Sequence, residues 1–292
     1  MNKAEIQPVI IDHRPLRANP KKVVGRVLLY VLLIAACALM LLPFLWMISS
    51  SLKAEKDVFT FPIQWIPLDP RWKNYELIWE KVPLLTGFKN STILTLCTMV
   101  LQITTSSLAA YSFAKLEFKG KNFLFLAYVT TIAIPWQVYM VPQYIMMSIW
   151  GLTDSLLGII IMHAFTAFGV FMMRQFYMGI PNELLEAARI DGLSEYGIWG
   201  RIMVPLSKPA VATLAITAFV FEWNDFMGPR IYLSSTNKMT LQLVLRLFNT
   251  QYSSNYAQMM AAATVALIPV FILFIMLQRY FVQGVATSGL KG

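Results

Sequence analysis

The sequence predicts an all-α membrane protein with six transmembrane helices, and two observations support this fold class. First, 57% of the 292 residues are hydrophobic, 13% are charged and the mean hydropathy is +0.59, unlike ordinary soluble domains. Second, six apolar segments are each long enough to cross about 30 Å of hydrocarbon as a helix. These segments are residues 26–49, 90–113, 123–147, 153–177, 206–228 and 258–281.

The first segment could also be a signal peptide, because basic residues precede an apolar stretch. Ile34-Ala35-Ala36-Cys37 even resembles a lipoprotein cleavage box. The apolar run nevertheless extends from Val27 to Ile48, which is too long for a signal core, so we expect a retained first helix. Cys37 and Cys97 both lie within apolar runs, and no disulfide is expected.

The second segment is the least apolar of the six, and we expect it to face other helices or water rather than lipid. Its polar residues are Thr92, Thr95, Thr98, Gln102, Thr104, Thr105, Ser106 and Ser107. Ser106, Ala110 and Ala114 recur every four residues, a spacing that lets a second helix approach closely.

Orientation follows from the basic residues in the short connections between segments. The 114–122 connection contains three lysines, whereas the connection near 148–152 contains no basic residue. Because positive charge favours the cytoplasmic side, we expect the tails, 1–25 and 282–292, to be cytoplasmic. The net charge of +9 is explained in the same way, and no pattern typical of nucleic-acid binding lies outside the membrane flanks.

Two further segments, 50–89 and 229–257, are rich in Pro, Trp, Tyr and polar residues and are predicted to be extracytoplasmic caps. Such caps would be placed to contact an external partner. Trp65, Trp72 and Trp79 are equally compatible with anchoring at the membrane interface.

The 180–205 loop, between the fourth and fifth segments, predicts two short helices. Asn182 is placed to cap the first, Glu183 and Glu186 favour its positive end, and Gly192 suits a left-handed stop. Ser194 is placed to begin the second helix, which leads back to the membrane.

The same loop contains a recognisable motif. Glu186-Ala187-Ala188 is followed by Gly192, Ile202 and Pro205, which resembles the EAA loop of ABC-importer permeases, with Val204 where that family often has Leu. The resemblance extends over nearly the whole chain and is close to the carbohydrate-uptake permeases that include the second, G-type permease of maltose importers. Supporting stretches are Pro67 with Asn74-Tyr75, Glu222-Trp223-Asn224-Asp225-Phe226, Gln278-Arg279-Tyr280-Phe281, Gly284 and Gly289-Leu290-Lys291-Gly292.

This resemblance implies a type I importer permease fold, a six-helix domain over 26–281 with a cytoplasmic coupling helix, in a bacterial or archaeal cytoplasmic membrane. It implies import of a sugar, oligosaccharide or glycerol-phosphate-like solute by alternating access. The implied partners are a homologous second permease, two ATPase subunits that bind ATP and Mg, and an extracytoplasmic solute-binding protein. The sequence contains no Gly-x-x-x-x-Gly-Lys-Ser/Thr loop, so we expect a transport subunit that binds no cofactor, rather than an enzyme.

The predicted ATPase-coupling residues share the 180–205 loop. They are Glu186, Ala187, Ala188, Arg189, Asp191, Gly192, Ile202 and Pro205. Small Ala187 and Ala188 would seat closely in a cleft of the partner, while Leu184, Leu185 and Ile190 are expected to pack against this chain's own helix ends. The alternative is an amphipathic connector without a partner.

The predicted solute-pathway residues are aromatic, amide and carboxylate side chains within spans, the groups that hold sugars. They are Glu222, Trp223, Asn224 and Asp225 in the fifth segment and Trp136, Gln137, Tyr139 and Gln143 after Pro135 in the third. The Glu222–Asp225 cluster could equally pin the fifth helix, that is, fix its position at the outer interface of the membrane without contacting the solute. His163 is expected to be an interhelical hydrogen-bonder, and no metal-ligand or nucleophile–base pattern is found.

Two other function classes fit the sequence less well. A secondary transporter driven by an ion gradient would place ionisable residues in several spans, whereas the cores here are nearly charge-free apart from the cluster near Glu222. A membrane enzyme would need a catalytic group near the bilayer surface, where the 180–205 loop is the only dense charged segment.

Overall fold

The computed structural model describes residues 20–249 and 255–288, and the described part of the chain is predominantly helical. The helices are α1 (Pro20–Ser51), α2 (Lys73–Lys81), α3 (Leu84–Lys115), α4 (Lys121–Thr130), α5 (Trp136–Ile149), α6 (Leu156–His163), α7 (Ala167–Met178), α8 (Glu183–Ile190), α9 (Glu195–Ile198), α10 (Val204–Leu206), α11 (Lys208–Asn224), α12 (Met227–Tyr232), α13 (Leu241–Leu245) and α14 (Tyr256–Ser288). Short 3₁₀ turns are Glu55–Asp57, Thr131–Ala133, Thr236–Lys238 and Arg246–Phe248, and a π-helix, Trp199–Met203, joins α9 to α10.

The chain divides into two compact units, residues 1–47 and 48–292. The described part of the first unit is most of α1, whose side chains from Val24 to Leu45 are exposed and mostly apolar, as lipid contact requires. The predicted first span lies within this helix. Within the predicted tails, residues 1–19 and 289–292 lie outside the described residues.

The six predicted spans correspond to three continuous helices, to the bent pairs α4–α5 and α6–α7, and to α11, which forms a third bent pair with the α9–α10 segment of the predicted 180–205 loop. By length and composition, α1, α3 and α14 could each cross a membrane alone, and each bent pair passes the same test when counted as one span. The bends measure 102° between α4 with its following 3₁₀ turn and α5, 42° between α6 and α7, and 81° between the α9–α10 segment and α11. Pro135 lies at the first bend, because proline cannot continue the helical hydrogen bonding.

Helix α3 is lined with buried polar side chains, which confirms that it faces protein rather than lipid along that stripe. At one end, Asn90 Nδ2 donates to two carbonyl oxygens of the 229–257 loop, at 3.0 and 2.9 Å. Farther along, Gly169 of α7 lies so close to Ser106 that an added Cβ would stand 2.4 Å from the Ser106 Oγ atom. The predicted close approach of a second helix at Ser106 is therefore present, and Gly169 permits it.

Three clusters of buried side chains organise the second unit, and α3 contributes to all of them. Leu84 belongs to a cluster with α2, α11, α13 and α14, in which the rings of Phe219 and Trp223 stack at 5.5 Å. Leu94 packs with α5, α6 and α12, and Tyr111 packs with α7, α8 and α11. The helix therefore provides a common support for the elements described below.

Asp154 joins two loops that are far apart in sequence. Its Oδ1 atom accepts hydrogen bonds from the backbone N–H groups of Ser234 and Ser235, at 2.9 and 3.0 Å. Its Oδ2 atom accepts from the Ser235 hydroxyl at 2.6 Å and pairs with Lys238 at 3.1 Å. These hydrogen bonds, led by those from Ser235, hold the pKa of the Asp154 carboxyl below its ordinary value.

Candidate functional site

A cavity of about 620 Å³ lies in the second unit, among the bent helices. Its walls come from α3, from the first turns of α5, from the break between α6 and α7, and from the last turns of α11. This volume is within the range that proteins use to hold small molecules. The breaks in the helices therefore create the space in which a solute could be held.

Six of the eight predicted solute-pathway residues line this one cavity. They are Trp136, Gln137, Tyr139, Gln143, Glu222 and Asp225. The α5 residues reach the cavity because the bend at Pro135 turns the start of α5 toward it. Residues that are far apart in sequence, such as Trp136 and Glu222, thus line the same cavity.

Trp223 and Asn224 do not line the cavity. Trp223 is buried in the cluster around Phe219, and its Nε1–H donates to the carbonyl oxygen of Ala266 at 3.1 Å. The Asn224 side chain turns back on its own helix and donates to the Val220 carbonyl oxygen at 2.8 Å. Trp223 therefore attaches α11 to α14, and the structure divides the predicted Glu222–Asp225 cluster into residues that line the cavity and residues that do not.

Glu222 is hydrogen-bonded by two side chains from two other helices. Gln102 of α3 donates to Glu222 Oε1 at 3.1 Å, and Nδ1 of His163 lies 2.9 Å from Glu222 Oε2. The Glu222 side chain is fully buried, and both of its oxygens are engaged. This geometry favours the pinning role of Glu222 over direct solute contact, and it confirms His163 as an interhelical hydrogen-bonder.

The α6–α7 break depends on α3 for its hydrogen bonds. Gln102 Nε2 also donates to the His163 carbonyl oxygen at 2.8 Å, and the Thr105 hydroxyl donates to the Ala164 carbonyl oxygen at 2.7 Å. These carbonyls lie at the end of α6, where the helix leaves its last carbonyl groups without an intrahelical donor. Gln102 and Thr105 are thus site residues that the sequence prediction missed, although their polarity within a span was a usable signal.

On the α5 wall, two donors converge on Gln143. The Nε1–H of Trp136 donates to Gln143 Oε1 at 2.8 Å, and the Tyr232 hydroxyl donates to the same atom at 3.0 Å. With its oxygen held in this way, the Gln143 amide nitrogen keeps its N–H groups for other acceptors. Nearby, Phe165 and Phe221 each leave 68% of their surface exposed, which provides flat apolar faces for a ligand.

The 180–205 loop forms the predicted pair of short helices. Gly192 has φ +82°, the left-handed stop, and the Ser194 hydroxyl caps α9 by accepting from the Gly197 N–H at 3.2 Å. Asn182 precedes α8 as predicted but makes no capping hydrogen bond. Its Oδ1 atom accepts instead from Lys115 Nζ at 2.7 Å, which ties the loop to the end of α3.

The two faces of α8 differ from the expected arrangement. Leu185 packs inside the chain as predicted, but Leu184 is 46% exposed and Ile190 is 87% exposed, so the expectation that these two pack internally is wrong. Ala188 is buried at 3% exposure, whereas Ala187 is exposed. The 3.6-residue period places 185 and 188 on the same face, and that face is the one that meets α3 and α7.

Other coupling candidates have distinct environments. Glu186, Asp191 and Gly192 are exposed, whereas Ile202 is half-buried against the core and Pro205 sits in the first turn of α10. Ile202 and Pro205 lie in the segment that leads into α11.

An ion pair fastens α8 to the rest of the loop. Arg189 Nε donates to Glu195 Oε1 at 2.8 Å, and the Tyr111 hydroxyl of α3 donates to Glu195 Oε2. A second link runs from Trp199, whose Nε1–H donates to Ser107 Oγ at 2.8 Å. The 180–205 loop is thus attached to α3 at several points.

The family follows from the sequence match over these elements. Residues 102–287 match the family model described as binding-protein-dependent transport system inner membrane component. The chain belongs to this family. The matched range includes α4 to α13, the 180–205 loop and every residue described above as lining the cavity, so the permease has its two candidate sites within the family region.

Two permeases of Bacillus subtilis resemble this permease over nearly their whole length. The arabinooligosaccharides transport system permease protein of Bacillus subtilis is 32% identical over 281 residues, covering 95% of this chain and 100% of that protein. The melibiose/raffinose/stachyose import permease protein of the same organism is 34% identical over 271 residues, covering 91% and 97%. A chain of a bacterial ABC transporter that imports the acidic polysaccharide alginate superposes with a TM-score of 0.79 at 25% identity, covering 92% and 100%. The permease is a transport component of the inner membrane with the type I importer fold.

Proposed function

We propose that this permease carries a carbohydrate-type solute across the inner membrane by alternating access, as one subunit of an ATP-driven importer. The observation that supports this most directly is the cavity, which collects the aromatic, amide and carboxylate residues expected to hold a sugar. The oligosaccharide permeases that resemble the chain over nearly its full length support the same solute class. An ion-gradient-driven carrier is not favoured, because both oxygens of Glu222 are engaged within the chain.

The proposed assembly pairs this chain with a homologous second permease, two ATPase subunits carrying ATP and Mg, and a solute-binding protein outside. The chain itself would bind no cofactor. In this arrangement both tails and α8 lie on the cytoplasmic side, in agreement with the lysines of the 114–122 connection. The exposed part of α8 would enter a cleft of an ATPase subunit, and the links to α3 would pass its motion to the cavity.

The test of coupling is disulfide cross-linking from α8 to an ATPase subunit in the assembled complex. Cys37 and Cys97 are both exposed and are first replaced by Ser. We expect Ile190→Cys to cross-link to cysteines around the ATPase cleft, with a yield that changes when ATP is added, because Ile190 is 87% exposed. The measurement is the fraction of cross-linked product on a non-reducing gel.

Ala188→Cys is the matched control, because it lies two residues away on the same helix and is only 3% exposed. It should give little product with or without ATP. Absence of a cross-link from Ile190→Cys in a complex shown to be assembled would reduce the 180–205 loop to a connector and argue against ATP-driven import.

A further inference from the structure

The charges around the cavity indicate which class of carbohydrate it accepts. Among its lining residues, the ionisable acids and bases are Glu222, Asp225 and His163, and no lysine or arginine contributes to the described wall. We propose that the cavity accepts neutral carbohydrates and disfavours anionic ones such as sugar phosphates and uronates. This proposal rests on the proposed function, since it narrows the solute of the same cavity.

The sum of charges on the wall does not favour an anion. With both carboxylates ionised, the wall carries two negative charges when His163 is neutral and one when its ring is protonated. A sugar phosphate or uronate entering this cavity would therefore meet net negative charge in a partly desolvated space, where repulsion is weakly screened.

Helix N-termini work in the opposite direction, since α5 and α7 both begin at the cavity. Each such terminus carries roughly half a positive elementary charge. The α7 terminus already has a capping partner, because the Thr166 hydroxyl oxygen accepts from the Gly169 N–H at 3.5 Å. Even taken in full, the two termini at most balance the carboxylates and give an anion no net attraction.

The remaining polar groups suit neutral hydroxyls. Gln137 and Tyr139 line the cavity with side chains that make no hydrogen bond within the described residues, and Gln143 keeps its amide N–H groups free. Together they offer donors and acceptors to sugar hydroxyls without introducing charge. Phe165 and Phe221 supply exposed rings for the apolar faces of a sugar.

The overall fold alone does not decide this preference. The alginate importer, which shares the fold, imports an acidic polysaccharide. Discrimination between neutral and acidic solutes therefore depends on side chains rather than on the arrangement of helices, and the walls of this cavity are one place where it can act.

The test measures ATP-dependent uptake by cells that express the complete importer. One panel contains the neutral sugars raffinose, melibiose and arabinotriose, and the other contains digalacturonate and glycerol 3-phosphate. Uptake from the neutral panel alone is the expected result. Uptake from the anionic panel alone, or equal uptake from both, would overturn the charge preference and leave the import function intact, whereas uptake from neither panel would count against both proposals.

A pair of variants tests the wall itself. Gln137→Lys adds a cation at a side chain without a described hydrogen bond, and Gln137→Met matches its length without charge. We expect Gln137→Lys to raise entry of the anionic probes about fivefold over Gln137→Met, because a cation in a poorly screened cavity attracts them. Equal anionic entry in the two variants, with both complexes assembled, would show that wall charge does not select the solute.

Discussion

Glu222 connects three helices through a single side chain. Its partners, Gln102 and His163, lie 120 and 59 residues away in sequence. The sequence identifies all three as polar residues within spans, but it contains no signal that pairs them, because the pairing depends on how α3, α6 and α11 pack. That is why Gln102 was missed as a site residue while His163 was assigned its role correctly.

Removing the Glu222 carboxylate should destabilise the assembled permease. In Glu222→Ala, the Gln102 amide and the His163 ring lose a buried partner, and each unsatisfied group costs about 1–3 kcal/mol. Glu222→Gln retains an acceptor for Gln102 and a polar group facing His163, so its loss should be smaller. The measurement is the thermal unfolding temperature of the purified complex in detergent.

The two variants also separate pinning from solute contact. An Ala variant as stable as the Gln variant, but with uptake abolished, would contradict the pinning role. It would assign Glu222 to the solute instead.

At the scale of helices, length and composition predicted the existence of the spans but not their breaks. The bend at Pro135 could be predicted, since proline removes a backbone donor. The break between α6 and α7 contains neither proline nor glycine in residues 164–166. It persists because Gln102 and Thr105 satisfy the carbonyl groups there, and such help from another helix leaves no local trace in the sequence.

Contact between α3 and α7 should be sensitive to one methyl group at Gly169. In Gly169→Ala the new Cβ would lie 2.4 Å from Ser106 Oγ and 3.1 Å from Ser106 Cβ, so the helices must shift. Overpacking of this kind costs about 1–3 kcal/mol. We expect a lower unfolding temperature of the assembled complex.

Gly200→Ala is the control for the intrinsic helix preference of alanine, since a Cβ there meets nothing within 4 Å. It should leave stability unchanged or slightly raised. A stabilised Gly169→Ala variant would mean that α3 and α7 pack less closely than described.

At the scale of the second unit, loops that are far apart in sequence are joined by hydrogen bonds, and Asp154 makes several of those that reach the 229–257 loop. Because its folded-state pKa lies below the ordinary value, Asp154 stabilises the fold fully above that ordinary value of 3.8. The contribution is lost as pH falls further, toward the folded-state pKa, because a protonated carboxyl accepts these hydrogen bonds poorly and loses its attraction to Lys238.

Asp154→Asn should therefore remove part of the acid sensitivity of the assembled permease. We expect the unfolding temperatures of wild type and variant to differ most above pH 4 and to converge as the pH is lowered. The measurement is a series of thermal unfolding curves from about pH 3 to pH 7. A constant difference across that range would show that ionisation of Asp154 does not stabilise the loops.

The contacts made along α3 restrict where insertions and deletions can be tolerated in this protein. The helix meets the 229–257 loop at Asn90, the cavity at Gln102 and the 180–205 loop at Lys115, and these positions share one continuous α-helix. One inserted residue would rotate everything beyond it by about 100° and advance it by about 1.5 Å. Insertions and deletions between Asn90 and Lys115 would therefore misalign two sets of contacts at once, so length variation among descendants of this gene should accumulate in the loops and spare α3.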